Sequence, residues 1–209
     1  MKNVTIGIVA RDEVINGTSL AVVTKNNLKY LDNLCYYIGI LTYDNDNFND
    51  DVLNLCDGII IQGGSDIFEY HYKIVEYALK NNIPLLGICM GHQIIGLYSD
   101  DKDENKLVKV SNHYNVDKLH LVNIAKDSYL FKILGEKYYV NSRHLYKLDK
   151  VNKPFKVVAR SDDNVIEAIE YIDDNHFIMS LQWHPEDMDD MQGLYNYFIK
   201  EVIKRKKSI

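Results

Sequence analysis

Nothing in the 209-residue sequence is apolar for long enough to cross a bilayer as a helix, which takes about 20 consecutive apolar residues. The first ten residues, "MKNVTIGIVA", carry one lysine and a short apolar stretch. They lack the longer apolar core and small-residue cleavage site of a secretion signal, and read as a first strand. A cytoplasmic protein with no membrane partner is the expectation. Cysteine is scarce and odd in number: Cys35, Cys56 and Cys89, without metal-type spacing. That argues against a disulfide framework and fits a reducing compartment. Positive charge is short as well. The formal net charge is −6, whereas nucleic-acid binding needs a basic face, so no nucleic-acid partner is expected. The one basic run, "KRKK" (204–207), reads as a solvated last helical turn that complements the helix dipole. There is no linker, internal repeat or domain boundary, and residues 1–209 read as one domain.

What is there is a series of short apolar strands alternating with helical patterns. "VTIGIVA" (4–10), "IGILTY" (38–43), "DGIIIQGG" (57–64) and "IPLLGI" (83–88) have the character of buried strands. Between them, the spacing of Leu28, Leu31, Cys35 and Ile38 predicts a helix within 19–38, with Gly39 as its C-cap. Residues 70–80 read as a second helix. Such alternation implies a parallel sheet covered on both faces. After Gly96 the pattern changes. A polar loop, "SDDKDEN" (99–105), precedes strand-like segments at 107–110, 120–124, 138–140, 155–159, 165–171 and 177–181. "VIEAIEYI" (165–172) alternates apolar and polar positions, as a half-exposed antiparallel strand does. Residues 191–204 read as a closing helix. The expected fold class is α/β: three layers, αβα, around a mostly parallel central sheet with an antiparallel extension.

The stretch "GICMGHQ" (87–93) places a cysteine between two glycines, between a strand and a helix. It is the cysteine counterpart of the Gly-x-Ser-x-Gly elbow. The turn is sharp, so the residues two before and two after the nucleophile need to be small. Cys89 would then project from the C-terminal edge of the sheet, where open α/β folds bind ligands. It would also sit at a helix N-terminus, where the dipole and free N–H groups favour thiolate over thiol. The Met90 N–H would donate to a developing oxyanion. Cys35 and Cys56 read as small buried hydrophobes.

A cysteine nucleophile needs a base, and the base needs an orienting group. Of the seven histidines, His184 stands out, in "SLQWHPE" (180–186). It ends a strand, and Pro185 stiffens the backbone so that Glu186 folds back toward the ring. A carboxylate there fixes the tautomer and stabilises the imidazolium. Cys89, His184 and Glu186 form the expected triad. His113, His120 and His144 could converge, but their spacing gives no zinc pattern, and neither a metal nor a cofactor is expected. The 16 tyrosines include "YHY" (70–72) and "LYNYF" (194–198). They read as core and interface filler, which leaves room for a homodimer, or alternatively as a pocket for an amine tail.

With these residues in place, the sequence resembles the class I glutamine amidotransferases. "GICMGHQ" is similar to that family's nucleophile elbow, "QWHPE" to its His/Glu element, and "IIIQGGSDI" (59–67) to the glycine turn that supplies a second oxyanion donor. The resemblance runs from about Val4 to the final helix. "VNSRHLYKL" (140–148) and "ARSDDNVIEAIEY" (159–171) resemble the gamma-glutamyl hydrolase-like subgroup, which includes gamma-glutamyl-gamma-aminobutyrate hydrolases. His113 sits where that subgroup often carries a histidine.

The resemblance implies a flavodoxin-like core and cleavage of a small-molecule gamma-glutamyl amide through a thioester on Cys89. His184 would protonate the leaving amine and then activate water, with Glu186 orienting it. The N–H groups of Met90 and of Gly64, or Gly63, would hold the oxyanion. Gln93 would help position the glutamyl group, and Asn141, Ser142, Arg143 and His144 would line its end of the site. Met90 departs from the arginine usual in the subgroup, "LYSDDKDE" (97–104) from its Gly-Gly-x-Leu, and His144-Leu145-Tyr146 from its His-His-Gln. The usual Asp-Pro-x-Tyr after the glycine turn is missing. These departures fall on the leaving-group side. Two further readings stay open: a glutaminase subunit that passes ammonia to a separate synthase partner, and a non-catalytic binding module on the same fold.

Overall fold

The computed structural model describes residues 2–42 and 49–206. Tyr43 and Lys207, which close the second expected strand and the basic run, lie outside the described residues. β1 (Thr5–Val9) leads into a hairpin, β2 (Arg11–Ile15) and β3 (Thr18–Val22). Its turn is Asn16-Gly17, with φ of 52° and 78°, the positive pair that a type I′ hairpin turn requires. This hairpin and the one-turn helix α1 (Asn26–Lys29) replace the helix expected over 19–38. Leu31 and Cys35 are indeed fully buried, but the Asn-Gly turn takes the first part of that segment into strands. Gly39 lies inside β4 (Tyr36–Ile40) and caps no helix.

β5 (Gly58–Ile61), α2 (Glu69–Asn81), β6 (Leu85–Ile88) and α3 (Met90–Tyr98) then follow as expected. The second half runs β7 (Leu107–Lys109), β8 (Tyr114–Ile124), α4 (Tyr129–Leu134), β9 (Lys137–Arg143) and β10 (Tyr146–Leu148). β11 (Phe155–Ser161), β12 (Ile166–Tyr171), β13 (Ile178–Leu181) and α5 (Gln192–Arg205) complete it. Among the described residues, nine strands form one mixed sheet in the order β4-β1-β5-β6-β13-β12-β11-β8-β9. The first five run parallel, in the order of a flavodoxin-like core. The other four are antiparallel and make the extension.

Successive strand residues face opposite sides of a sheet, so a sheet covered on both sides needs apolar residues at every position. Ile6, Ile8, Ile60, Leu86 and Ile88 pack on one side with Leu194, Phe198 and Val202 of α5. Val9, Ile59, Ile61 and Leu85 pack on the other with Ile74 and Ala78 of α2 and Ile94 and Ile95 of α3. These are the three layers. β12 corrects an expectation: it is buried along nearly its whole length, not half-exposed. It lies in mid-sheet, between β13 and β11, and its two carboxylates are buried for polar work. Glu170 accepts the Tyr129 and Leu130 N–H groups at 3.0 and 2.8 Å, which caps the start of α4. Glu167 faces a group of histidines instead. No helix among the described residues is long and apolar enough to cross a membrane.

Candidate active site

β6 ends at Ile88 and α3 begins at Met90, so Cys89 alone makes the corner. Its φ of 51° and ψ of −99° are a backbone state that a non-glycine residue holds only when its surroundings enforce it. The Cys89 N–H donates to the Leu181 carbonyl at 2.8 Å, and its carbonyl accepts the Gln93 N–H at 3.1 Å. The two glycines let backbones touch here. A Cβ on Gly91 would lie 2.2 Å from the Ile61 carbonyl oxygen, and one on Gly87 would lie 2.7 Å from the Gly91 oxygen. Gly91→Ala should therefore destabilise the fold by about 3 kcal/mol, read as a lower midpoint in denaturant unfolding.

His184 and Glu186 meet as their spacing suggests. Pro185 opens a single 3-10 turn, Pro185–Asp187, and the His184 Nδ1–H donates to Glu186 Oε1 at 2.7 Å. That leaves Nε2 as the ring nitrogen for the thiol. Burial opposes the imidazolium, but interaction with Cys89 and Glu186 outweighs it and pushes the His184 pKa up to about 9. The glycine turn after β5 closes over this pair. A Cβ on Gly63 would lie 2.8 Å from His184 Cε1 and 3.4 Å from Cys89 Cβ. A Cβ on Gly64 would lie 2.9 Å from the Met90 sulfur, so the Met90 side chain rests on that glycine.

The residues expected at the glutamyl end divide into three groups. Asn141 braces His184: its Nδ2 donates to the His184 carbonyl and its Oδ1 accepts the His184 N–H, both at 2.8 Å. Gln93 reaches Cys89 through a relay. Its Nε2 donates to the Tyr146 carbonyl at 3.0 Å and to Gln182 Oε1 at 3.3 Å, and Gln182 Nε2 donates to Cys89 Sγ at 3.8 Å. Arg143 pairs with Asp187 at the edge of an open cleft of about 800 Å³, lined also by Tyr138, Tyr139, Asn141 and Met188. Ser142 and His144 turn away from Cys89 and His184. Ser142 Oγ donates to the His113 carbonyl at 2.6 Å, and His144 Nδ1–H to the Tyr146 carbonyl at 2.9 Å.

Three participants are missing from the sequence-based expectations. Gln182 sits two residues before His184, just past the end of β13. Gln62 donates to the Val9 and Val22 carbonyls and accepts from the Thr24 N–H and the Asn27 amide. Arg11 donates to the Gly63 carbonyl at 3.2 Å. Together Gln62 and Arg11 tie the glycine turn to the β2–β3 hairpin, through contacts that leave no local pattern. The tyrosines at 70, 72 and 195 are buried, in keeping with core filler; those lining the cleft are Tyr138 and Tyr139.

Among the described residues, two groups of side chains present their ligand atoms within 4.8 Å of one another, as a metal site does: His184, Glu186 and Asp187, and His113, His144 and Glu167. The first is the His184–Glu186 pair, with Asp187 engaged by Arg143. In the second, His120 Nε2 also reaches Glu167 Oε1, at 3.1 Å. Burial opposes the charge on Glu167, but the His120 and His144 imidazoles outweigh it and bring its pKa down to about 2.

A flavodoxin-order sheet bearing a cysteine elbow opposite a His-x-Glu turn defines a class I glutamine amidotransferase-like protein. The Peptidase C26 family signature matches residues 68–186, from the start of α2 to Glu186, and the chain belongs to that family. It is 32% identical over 149 residues to Protein NtpR of Enterococcus hirae, covering 65% of this chain and 62% of that one. The chain thus spans under two thirds of that relative's length. It is 35% identical over 136 residues to a glutamine-hydrolyzing GMP synthase subunit of Methanosphaera stadtmanae, covering 65% and 68%. In three dimensions it is similar to the glutaminase domain of Trypanosoma brucei CTPS with bound acivicin, at a TM-score of 0.69 and 20% identity over 99% of this chain and 96% of that one.

Proposed function

We propose that the chain is a hydrolase of gamma-glutamyl amides, a single catalytic unit over residues 1–209 that works through a thioester on Cys89. The supporting observation is the elbow cysteine facing a histidine whose Nδ1 is held by Glu186 at 2.7 Å and whose pKa of about 9 keeps it an imidazolium at neutral pH. In the first half, the Cys89 thiolate attacks the gamma-carbonyl carbon. A C–S bond forms, and the carbonyl electron pair moves onto oxygen, where the N–H groups of Met90 and of Gly64 or Gly63 receive it. The oxyanion collapses, the C–N bond breaks, and the Nε2 proton of His184 goes to the leaving amine. In the second half, water gives its proton to the now neutral His184 and its oxygen bonds to the acyl carbon. The C–S bond breaks, glutamate leaves, and thiolate and imidazolium are restored.

Glutamine is the simplest gamma-glutamyl amide, and a glutaminase subunit would make and break the same bonds. The similarity to a GMP synthase's glutamine-hydrolyzing chain favours that second reading, in which the ammonia passes to a separate synthase chain. The purified chain decides between them. Turnover of gamma-glutamyl amines without a partner supports the hydrolase; ammonia release from glutamine only when a synthase is present supports the glutaminase reading. Under either reading Asn141 is a positioning residue, because both ends of its amide are spent on the His184 backbone. Asn141→Ala should lower kcat about 10- to 100-fold with KM little changed. Steady-state kinetics on the preferred gamma-glutamyl amide checks it, and a change confined to KM would instead place Asn141 on the substrate.

A further inference from the structure

We propose that His113, His144 and Glu167 bind a divalent metal ion of the zinc type, at a buried site behind the glutamyl end of the active site. The three residues come from separate places in the chain: His113 immediately precedes β8, His144 immediately follows β9 and Glu167 lies on β12. All three are buried, and Glu167 is 0% exposed.

The hydrogen bonds around the cluster decide which ring atoms carry hydrogen. The His144 Nδ1 lies 2.9 Å from the Tyr146 carbonyl oxygen. A carbonyl only accepts, so Nδ1 carries the hydrogen and Nε2 of the neutral ring is a bare lone pair. The His113 Nε2 lies 3.0 Å from Asp163 Oδ2. A carboxylate also only accepts, so the His113 hydrogen is on Nε2 and Nδ1 is bare. Ser142 Oγ lies 3.2 Å from that Nδ1, but its one hydrogen goes to the His113 carbonyl at 2.6 Å. Glu167 brings only acceptors, and its Oε2 has no partner.

With both rings neutral, three lone pairs therefore face one another, and among the described residues the only hydrogen directed at them is that of His120 Nε2, 3.1 Å from Glu167 Oε1. His113 Nδ1 is 3.2 Å from His144 Nε2 and 3.4 Å from Glu167 Oε1, and His144 Nε2 is 3.8 Å from Glu167 Oε1. Ligand atoms held about 2.0 Å from a tetrahedral zinc ion are about 3.3 Å apart, which is the size of this triangle. Ligating histidines commonly donate their other N–H to a carboxylate or a backbone carbonyl, as His113 and His144 do here. A proton on one ring would point at two of the three contacts and leave the third pair of lone pairs facing. A metal ion serves all three atoms. Burial makes the site structural, closed by His120 Nε2 or by water as the fourth ligand, and it would fasten the 141–146 segment whose Tyr146 carbonyl also holds Gln93.

Cobalt(II) and zinc(II) binding to the full chain tests this, in wild type and in Cys89→Ala, which removes the one thiol near a competing histidine. The expected result is one equivalent per chain in both, with the intense visible spectrum of tetrahedral cobalt and no thiolate charge-transfer band. His144→Ala and Glu167→Gln should lose the spectrum. Asp163→Asn, a change outside the metal's own ligands at a half-exposed carboxylate, should weaken binding about 10- to 100-fold with the circular dichroism unchanged. It keeps the test sound if the buried variants misfold. No bound metal in wild type, binding lost with Cys89→Ala, or equal affinity in Asp163→Asn would each overturn the site; the first is the outcome for a protonated histidine cluster. None of these readings depends on catalytic activity.

Discussion

Cys89→Ala should lower hydrolysis of gamma-glutamyl amides by about 10⁴-fold or more and leave the fold intact. The thiolate forms the only bond from protein to substrate in the proposed reaction, so no other group can replace it. Cys35 and Cys56 cannot substitute. Both are buried away from the elbow, and burial pushes their thiols up to about 11 and about 12, which keeps them protonated and poorly nucleophilic. Alanine removes only a sulfur atom, and the glycines that permit the corner remain. Stability should therefore change by no more than about 1 kcal/mol. Steady-state assay alongside thermal unfolding checks both halves. Retained activity in a folded variant would place the chemistry elsewhere.

Glu186→Gln should have the second largest effect, a fall in kcat of about 10²- to 10⁴-fold, together with a shifted pH profile. Glutamine keeps the size of the side chain but loses the charge that stabilises the imidazolium. Its amide can also turn an N–H toward Nδ1, which favours the wrong tautomer. In the wild type, His184 is raised from its ordinary 6.5 to about 9. The imidazolium that protonates the leaving amine is thus fully present below about pH 6.5 and is lost as pH rises through about 9. The stability that the His184–Glu186 pair contributes follows the same course, since a raised pKa means the folded state binds the proton more tightly. The alkaline limb of kcat/KM should lie near pH 9 in the wild type and move to lower pH in Glu186→Gln. A limb that stays put would mean that Glu186 does not act through the histidine.

The parts of this protein that are legible in its sequence are those governed by neighbours along the chain. The elbow declares itself because Gly87 and Gly91 flank the one residue that must turn, and close backbone contact tolerates nothing larger at either place. His184 and Glu186 are two residues apart, with Pro185 fixing the bend between them. The parallel strands show as continuous apolar runs because both faces of the sheet are covered. Where two local signals compete, the sequence misleads: helical spacing through Leu28, Leu31 and Cys35 masks the Asn16-Gly17 hairpin turn. In β12, alternation suggests an exposed face, yet Glu167 and Glu170 are buried because they have partners, one in imidazoles and one in the N–H groups of α4. The remainder depends on partners distant in sequence. Asn141 braces a histidine 43 positions away, Gln62 holds a hairpin 40 positions before it, and the histidine cluster joins the start of β8 and the end of β9 to β12. No spacing rule along a chain encodes such pairings.

A covalent gamma-glutamyl thioester on Cys89 is the centre of the proposed mechanism. The direct measurement is intact-protein and peptide mass spectrometry of the chain alone, quenched with acid during turnover of a panel of gamma-glutamyl amides, glutamine among them. A glutamyl adduct is expected on the peptide carrying Cys89 with at least one panel member, absent in Cys89→Ala. Turnover without any adduct on that peptide, or neither adduct nor turnover across the whole panel, would contradict the mechanism.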